Sequence, residues 1–410
     1  MFGVFNLDKI YQYLLIALGF LLPLTVYGAN LVIVIIVILW FFSGDYKSKY
    51  SQIISSRILI ASIAFYGLHV IGLLWTEDLK WGLHMLHKMW YFLILYPVLY
   101  TIVKREYIKY YVFAFLLAIL ITEIYSYLIW FELINYDGYR GGNVNSTNPV
   151  PFMTHISFNP ILAFSIYIVA YELFINKVRS KIELFLYSFF LISMIITMFI
   201  TSGRAGQVMF FVMIPILIFQ YFSAQKIKSL IAVLILLPSI FFGAYQSSDL
   251  FKERVDAVIH SAKVFEDSEY SPVNQRITYA LNSWEIIKNN VLIGVGTGDF
   301  PSQYKKMNKL KSPELFYEYE FSSASQPHNM YTLILVELGI IGLGSMLLIF
   351  YYQVRFSLLQ SNKFIRDTGV ALPLLFLVIM MSDSYLLGHY TTLLFVFFSS
   401  FLHKDFEKSS

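Results

Sequence analysis

The sequence predicts an all-α polytopic membrane protein with about twelve transmembrane helices. Hydrophobic residues make up 58% of the 410 residues and charged residues only 14%, whereas soluble proteins carry about a quarter charged residues. Apolar runs long enough to cross a bilayer recur from one end of the chain to the other. A second apolar run follows the first directly, with no small-residue cleavage site between them, so we predict no removable signal peptide.

Twelve apolar runs define the predicted spans. Hydropathy places them at roughly 10–26, 28–42, 57–75, 84–103, 107–133, 153–175, 183–201, 205–222, 229–245, 328–352, 369–386 and 388–402. The second and twelfth runs are short for a full crossing. No internal repeat stands out, so the sequence gives no support to an inverted-repeat transporter.

Most basic residues of the short loops fall on one face of this twelve-span arrangement, and only Lys80, Arg140 and Arg204 lie in short loops of the opposite face. Those on the first face are Lys47, Lys49, Arg57, Lys104, Arg105, Lys109, Lys177, Arg179, Lys181, Lys226, Lys228, Arg355, Lys363, Arg366, Lys404 and Lys408. The positive-inside rule makes this face cytoplasmic, which predicts both termini inside and the polar insert 246–327 outside. We predict one membrane-embedded domain, residues 1–410, that contains this large loop.

The insert has patterns of its own. Two short amphipathic helices are predicted from apolar residues at helical spacing. These are Val255, Val258, Ile259, Ala262 and Phe265 in the first helix, and Ile277, Ala280, Leu281, Trp284 and Ile287 in the second. The acidic, aromatic stretch Ser312–Ser325 is interpreted as a solvated interfacial loop.

Composition excludes several kinds of site. The chain has no cysteine, which excludes disulfides, thiolate metal sites and a cysteine nucleophile. The basic residues do not form one stripe, so no nucleic-acid partner is predicted. His84 and His87 have helical i, i+3 spacing, but no third ligand supports them, so no metal site and no cofactor is predicted.

Two arginines stand out near the outer face. Arg204 lies in a tight turn between two apolar spans, where an arginine either caps helix ends at the interface or binds an anion. Its planar guanidinium, with small residues on both sides, suits a phosphate group. Arg276 opens the second predicted helix of the insert and is, taken alone, compatible with a solvated surface residue.

Gly294-Val-Gly-Thr-Gly-Asp-Phe300, here called the glycine turn, follows that helix. It lacks the lysine of a P-loop, the spacing of a dinucleotide fingerprint and any βαβ context. We expect a compact loop in which Gly294, Gly296 and Gly298 adopt positive φ and allow close backbone approach. Whether its amides bind an anion stays open.

His328 follows Pro327 and begins the tenth predicted span. A histidine there can be structural, but imidazole ordinarily titrates near neutral pH and can act as a general base on a hydroxyl group. Helix N-terminal amides would also favour an anion beside it. Glu337 lies about two and a half turns further along, and we interpret it as pairing with polar groups between helices.

Other polar side chains fall near the same face. They are His84, His87 and Lys88 at the start of the fourth span, His155 at the start of the sixth, and Asp383 and His389 around the last outer turn. Lys88 and Asp383 are predicted to support the site, together with Glu337 and the three glycines. The roles of the four histidines stay open.

Taken in order, several of these motifs resemble the signature of the O-antigen ligase superfamily. They are Arg276 with Trp284, then Ile293 to Phe300, then His328-Asn329, and then Glu337-Leu-Gly339-Ile-Ile-Gly342. The Ser202-Gly-Arg204 turn resembles the earlier Ser-Arg motif, with one glycine inserted. The superfamily also contains O-antigen polymerases and bacterial protein O-oligosaccharyltransferases.

The resemblance implies a GT-C-like glycosyltransferase of the bacterial inner membrane with a periplasmic active site. The donor would be a glycan on undecaprenyl pyrophosphate, and the acceptor would be the lipid A–core. Arg204 and Arg276 would bind the pyrophosphate, and His328 would activate the acceptor hydroxyl. The resemblance implies no metal, and transfer would be a single displacement with inversion.

Alternatives remain at the sequence level. An O-antigen polymerase and a protein O-oligosaccharyltransferase would use the same donor and the same residues. The short loop Ile134–Phe152 favours the ligase, because polymerases often carry two large periplasmic loops. A flippase or transporter for lipid-linked glycans would line its spans with deep charges, whereas this chain gathers charge at one membrane face.

Overall fold

The computed structural model describes residues 7–136, 144–176, 180–201, 203–263, 272–311 and 325–406, and the structure in these ranges is helical. The first nine α-helices are α1 (Leu7–Leu21), α2 (Val26–Phe42), α3 (Tyr46–Ser55), α4 (Arg57–Gly72), α5 (Leu79–Trp90), α6 (Tyr96–Ile102), α7 (Ile108–Trp130), α8 (His155–Phe174) and α9 (Lys181–Ile200). The remainder are α10 (Arg204–Tyr221), α11 (Lys226–Ser247), α12 (Asp249–Lys263), α13 (Pro272–Asn289), α14 (Phe300–Lys311), α15 (Met330–Leu358), α16 (Lys363–Ile379) and α17 (His389–Leu402).

The chain divides into two compact units, each assembled from three separate segments. The first unit contains residues 1–44, 102–259 and 362–375. The second contains residues 45–101, 260–361 and 376–410. The prediction of one domain over residues 1–410 stays a prediction, as does the assignment of residues 246–327 to one periplasmic loop.

The first unit is organised around α8. Every residue of this helix from Phe158 to Tyr171 is buried, and the helix packs against α9 and α10. Close approach of α10 depends on Gly206, because a Cβ there would lie 1.9 Å from the Asn159 Cβ. Small residues of this kind let apolar helices pack tightly where water supplies no driving force.

The second unit is organised around α4 and α15, which pack along each other. Ser56 caps α4, since its hydroxyl accepts a hydrogen bond from the Leu59 amide at 3.4 Å. Helices α13 and α14 pack on each other and on α15. Helix α17 is buried over nearly its whole length and contacts the π-helical turn Tyr91–Leu95 between α5 and α6.

Six helical segments of the described chain are long and apolar enough to cross a membrane. They are Arg57–Trp75, Arg105–Trp130, His155–Phe174, Lys181–Ile200, Lys226–Ser247 and Met330–Leu358. A seventh results if Val26–Phe42 and Tyr46–Ser55 are taken together as one bent span. This all-helical architecture is consistent with a polytopic membrane protein, while the number twelve and the orientation stay predictions.

The two helices predicted in the insert are present as α12 and α13. Of the apolar residues at helical spacing on α13, Ile287 is buried but two others are exposed. Leu281 and Trp284 are 60% and 56% exposed, whereas Asn282 and Ser283 are buried. The sequence also gave no sign of α14, which is rich in lysine. Residues 264–271 and 312–324, and with them the end of the first predicted helix and most of the acidic stretch, lie outside the described residues.

Candidate functional site

His328 lies in a short loop directly before α15, and its backbone conformation is unusual. Its φ of +50° falls in the left-handed region, which non-glycine residues seldom occupy. The next residue, Asn329, caps α15, because its side-chain oxygen accepts a hydrogen bond from the Thr332 amide at 3.0 Å. The Asn329 amide group also donates to the Met381 carbonyl at 3.1 Å. The loop that carries His328 is therefore held against the turn that follows α16.

An acidic side chain faces the His328 ring. The Nδ1 atom lies 3.4 Å from Asp383 Oδ1, and the two side chains are 37% and 14% exposed. A carboxylate in this position can orient an imidazole and stabilise its charged form. Because Nδ1 faces Asp383, Nε2 is the ring nitrogen left to take a proton from a bound molecule. The structure therefore brings a carboxylate and an imidazole within 3.4 Å of each other, without a hydrogen bond between them.

Arg276 belongs to the same neighbourhood. It lies exposed on α13, four residues after the helix begins. Burial raises the pKa of the Tyr385 hydroxyl above its ordinary value, the Asp383 carboxylate raises it further, and the Arg276 guanidinium opposes both. The two charged groups act on one buried tyrosine, so the second unit brings Arg276 and Asp383 to the same locality.

Aromatic and amide contacts hold α13 in place beside His328. The Tyr279 ring lies 6.1 Å from the His328 ring and 5.2 Å from the Tyr304 ring, measured between ring centres. One helical turn further on, Asn282 Nδ2 donates to Asn308 Oδ1 at 3.1 Å. Tyr279 follows Arg276 by three residues, so contacts that fix Tyr279 also fix the helical turn that presents Arg276.

The helical geometry of α15, which corresponds to the tenth predicted span, breaks at Gly339. This residue has φ of +62° and ψ of −159°, a conformation available essentially only to glycine. The loop after α13 supplies hydrogen-bond acceptors at the break. The Ile340 amide donates to the Val291 carbonyl at 2.9 Å, and the Ile341 amide donates to the Leu292 carbonyl at 3.3 Å. Backbone groups that the break would leave unpaired are thereby satisfied.

The glycine turn donates hydrogen bonds to carbonyl groups of α15 just before the same break. The Val295 amide donates to the Val336 carbonyl at 2.9 Å, and the Gly296 amide donates to the Glu337 carbonyl at 3.0 Å. Gly294 has φ of +67°, and a Cβ there would lie 2.3 Å from the Glu337 carbonyl carbon. Only glycine permits this approach of two backbones.

The next residues of the turn attach to the end of α4. The Thr297 hydroxyl donates to the His69 carbonyl at 2.8 Å, and the Thr297 amide donates to the Gly72 carbonyl at 3.2 Å. Gly298 has φ of +85°, and a Cβ there would lie 2.5 Å from the Gly82 amide nitrogen. The predicted positive φ at all three glycines is confirmed, and the close approach is to other protein backbone.

Asp299 completes this attachment. Its buried carboxylate accepts hydrogen bonds from the Thr76 hydroxyl at 2.7 Å, the Glu77 amide at 2.8 Å and the Asp78 amide at 2.9 Å. Charge-assisted bonds to two successive amides fix the segment between α4 and α5. The glycine turn therefore joins three parts of the second unit.

The amides of the glycine turn are largely engaged within the protein. Those of Val295, Gly296 and Thr297 donate to carbonyls, and those of Gly298 and Phe300 face the Glu337 carboxyl. This geometry supports a structural role that positions the site and disfavours direct contact with an anion.

Glu337 is buried, and the predicted pairing of its side chain with polar groups between helices stays a prediction. Its carboxylate oxygens have no hydrogen-bond partner within the ranges that the structure describes, although the amides of Gly298 and Phe300 influence the group electrostatically. Its backbone carbonyl makes the contact with Gly296 described above. We therefore assign the contribution of Glu337 to the packing of α15 against the glycine turn.

Lys88, His84 and His389 contact aromatic side chains close to them. The Lys88 ammonium lies 6.0 Å from the Trp81 ring centre, and the His84 ring lies 4.9 Å from the same ring. The His389 Nδ1 atom contacts the Tyr91 hydroxyl. No described contact joins Lys88 to His328, so its supporting role stays a prediction. In the described parts of the chain, no three His, Asp or Glu side chains are grouped as a metal site.

Arg204 is the first residue of α10 and belongs to the first unit. The turn before it is held by Asn159, whose Nδ2 donates to the Gly203 carbonyl at 3.1 Å. The Gln207 amide also donates to that carbonyl, at 3.2 Å. Ser202 and the side chain of Arg204 lie outside the described residues. The predicted convergence of Arg204 with Arg276 and His328 therefore stays a prediction.

Two tyrosines at this site were not predicted from the sequence. Tyr279 is one helical turn after Arg276, and Tyr385 is two residues after Asp383. The i, i+3 spacing of Arg276 and Tyr279 was a usable signal, because such residues share a helix face. Tyr385 left no comparable signal, since it lies in an irregular turn between α16 and α17.

Comparison with known families bears on this same region. Residues 189–347 match the family model described as O-antigen ligase. No curated protein matches the chain. The matched segment contains Arg204, Arg276, the glycine turn and His328, the residues on which the resemblance was based. The family match thus supports the resemblance of residues 189–347 to the O-antigen ligase superfamily.

Proposed function

We propose that this chain is an O-antigen ligase of GT-C-like architecture. It transfers a preassembled glycan from undecaprenyl pyrophosphate to a hydroxyl group of the lipid A–core. The reaction takes place at the periplasmic face of the bacterial inner membrane and needs no metal. The observation that carries this proposal is the 3.4 Å approach of His328 to Asp383, together with the match of residues 189–347, which contain Arg276 and His328, to the O-antigen ligase family model.

In the proposed reaction, the acceptor oxygen attacks the anomeric carbon of the donor glycan. Its proton passes to Nε2 of His328, while Asp383 stabilises the resulting imidazolium from the Nδ1 side. The bond between the anomeric carbon and the pyrophosphate oxygen breaks, and undecaprenyl pyrophosphate leaves. One displacement of this kind inverts the anomeric configuration.

The leaving group gains negative charge as that bond breaks, and fixed cations lower the barrier. We assign this role to Arg276 and Arg204, since guanidinium matches phosphate oxygens with two parallel hydrogen bonds. Removing one such contact costs about 3–4 kcal/mol of transition-state stabilisation in comparable sites. Partial exposure of His328 leaves room for the acceptor hydroxyl.

The function is tested first by the lipopolysaccharide of a deletion strain, separated on a gel. Loss of polymer from the core, with lipid-linked polymer accumulating, supports the ligase. A core that carries one repeat unit would instead indicate a polymerase. Unchanged lipopolysaccharide with altered glycoproteins would indicate a protein O-oligosaccharyltransferase, and accumulation of donor on the cytoplasmic side would indicate a flippase.

The residue assignments are tested by complementing that strain with variants. His328→Ala should lower transfer by about 10²–10⁴-fold, the usual contribution of a general base. Arg276→Lys should lose most activity, because a point charge does not replace a bidentate fork. Lys288→Gln on the same helix is the matched control, since Lys288 pairs only with the neighbouring Glu285 among the described contacts.

Asp383→Asn should lower kcat while leaving the amount of membrane-inserted protein unchanged, and Asp383→Glu should restore part of the loss. Normal surface polymer in the His328→Ala strain would remove His328 from the mechanism. If Arg276→Lys is as active as Lys288→Gln, then Arg276 is a surface residue that does not bind the donor.

A further inference from the structure

A polar cavity lies in the second unit, at the opposite end of α4 and α15 from the candidate site. Its volume is about 370 Å³, and its lining comes from α3, α4, α6, the end of α15 and the segment after α17. Arg57 and Arg355 line it, together with Ser56, Gln360 and Asp405. Neither the family match nor the proposed reaction assigns a role to this cavity.

The cavity is rich in hydrogen-bond donors that suit an anion. Arg57 makes no hydrogen bond or ion pair within the part of the chain that the structure describes. Arg355 donates through one nitrogen to the Tyr351 hydroxyl at 3.0 Å, which leaves its other nitrogens available. The α4 N-terminus, capped by Ser56, adds a positive dipole end. The lining contains two guanidinium groups and one carboxylate, that of Asp405, so its charged side chains carry a net positive charge.

The cavity is distinct from the site of His328. Helix α4 begins at Arg57 and ends at Gly72, where Thr297 of the glycine turn attaches. Sixteen residues of α-helix separate these ends by about 24 Å. Helix α15 likewise begins beside His328 and carries Arg355 in its last turn. The cavity therefore lies on the face predicted to be cytoplasmic.

Apolar side chains extend from the rim of the cavity. Leu359, which lines it, is 80% exposed, and the neighbouring Leu358 is 62% exposed. Tyr351, the partner of Arg355, is 52% exposed. A soluble anion would not contact this apolar surface. A lipid would contact it, because its acyl chains would lie along α15 while its headgroup entered the cavity.

We infer that this cavity binds the headgroup of an anionic phospholipid, with Arg57 and Arg355 contacting the phosphodiester. Guanidinium groups bind phosphate oxygens through paired hydrogen bonds, and basic pockets between transmembrane helices recognise anionic headgroups. A bound lipid would join α3, α4 and the end of α15 at the membrane boundary.

The test measures phospholipid that remains on the full-length protein after extraction in mild detergent, by native mass spectrometry. The variant Arg57→Gln/Arg355→Gln is compared with Lys226→Gln/Lys228→Gln, which removes two positive charges of the same predicted face outside the cavity. The first variant loses both proposed contacts with the phosphodiester, each worth roughly tenfold in affinity, and should retain roughly 100-fold less phosphatidylglycerol than the wild type. The second variant loses only the general attraction of two surface charges, so it should retain clearly more phosphatidylglycerol than the first.

A second measurement distinguishes lipid from a soluble anion. Delipidated protein is heated with phosphatidylglycerol, with phosphatidylcholine or with inorganic phosphate, and the melting temperature is recorded. The inference requires stabilisation by phosphatidylglycerol that Arg57→Gln and Arg355→Gln each reduce and that the corresponding lysine variants partly keep. Equal lipid retention by the two double variants would overturn it, and so would inorganic phosphate that protects as well as phosphatidylglycerol.

Discussion

The break in α15 offers the sharpest test of how the candidate site is positioned. Replacing Gly339 by alanine adds one methyl group at a residue with φ of +62°. That Cβ would lie 2.4 Å from the Leu292 carbonyl carbon and equally close to its oxygen. Backbone atoms cannot rotate away as a flexible side chain could. The loop that pairs with the break must therefore move.

The cost can be bounded from the contacts at the break. Holding a non-glycine residue in this backbone region costs about 1–3 kcal/mol. Displacing the loop also weakens the hydrogen bonds from Ile340 to Val291 and from Ile341 to Leu292, each worth about 0.5–1.5 kcal/mol. Together these effects predict a loss of about 2–6 kcal/mol in the local stability of the second unit.

The matched control is Gly344→Ala in the same helix. Gly344 has helical φ, and no atom lies within 4 Å of an added Cβ. Both variants are purified in the same detergent, and their melting temperature and glycan transfer are compared with the wild type. Gly339→Ala should melt several degrees lower and lose transfer, while Gly344→Ala should change neither. Equal behaviour of the two variants would refute the argument from backbone contact.

Other contacts give predictions of graded size. Asp299→Asn should lower the free energy of unfolding by about 1–3 kcal/mol, because the new side-chain NH2 group would face the backbone N–H of Glu77. The control in this melting measurement is Glu285→Gln, at a partly exposed residue. Glu77→Gln should cost less than about 1 kcal/mol, since Glu77 and Lys306 are 53% and 58% exposed. Hydrogen bonding to Lys306 lowers the pKa of Glu77 below 4.5. The small stabilisation is therefore present above about pH 4.5 and is lost as the pH falls through the lowered pKa. A melting temperature that rises on acidification because of this pair would contradict the prediction. Transfer should survive EDTA, and inhibition that a divalent ion reverses would contradict a metal-free reaction.

The helices that cross the apolar region were largely predictable. The predicted run 153–175 corresponds to α8, and the run 57–75 corresponds to α4 with the short 3-10 turn that follows it. Hydropathy succeeds here because a buried or lipid-facing helix must be apolar over its length. The sequence did not predict the break at Gly339, since a single glycine in an apolar run gives no sign of what packs against it.

The insert was less predictable, for a related reason. The apolar residues at helical spacing on α13 include Leu281 and Trp284, yet these two are exposed while Asn282 and Ser283 are buried. Asn282 can be buried because Asn308 supplies a hydrogen bond from α14, a helix too polar to be recognised from its sequence. Polar pairs of this kind arise only in the folded chain, where two distant segments meet.

Positioning of the site follows from two contacts between the same pair of helices. At one end, the loop after α13 and the glycine turn bind the break in α15 through backbone hydrogen bonds. At the other end, Tyr279 on α13 contacts His328, which precedes α15. Because α13 and α15 are in contact at two separate points, neither helix can rotate about one contact without breaking the other. Arg276 lies one helical turn from Tyr279. The position of Arg276, the proposed pyrophosphate-binding residue, relative to His328, the proposed base, therefore depends on these contacts between α13 and α15. The glycines of the motif therefore set the geometry of the site, whereas the proposed roles of Arg276 and His328 depend on charge and proton transfer.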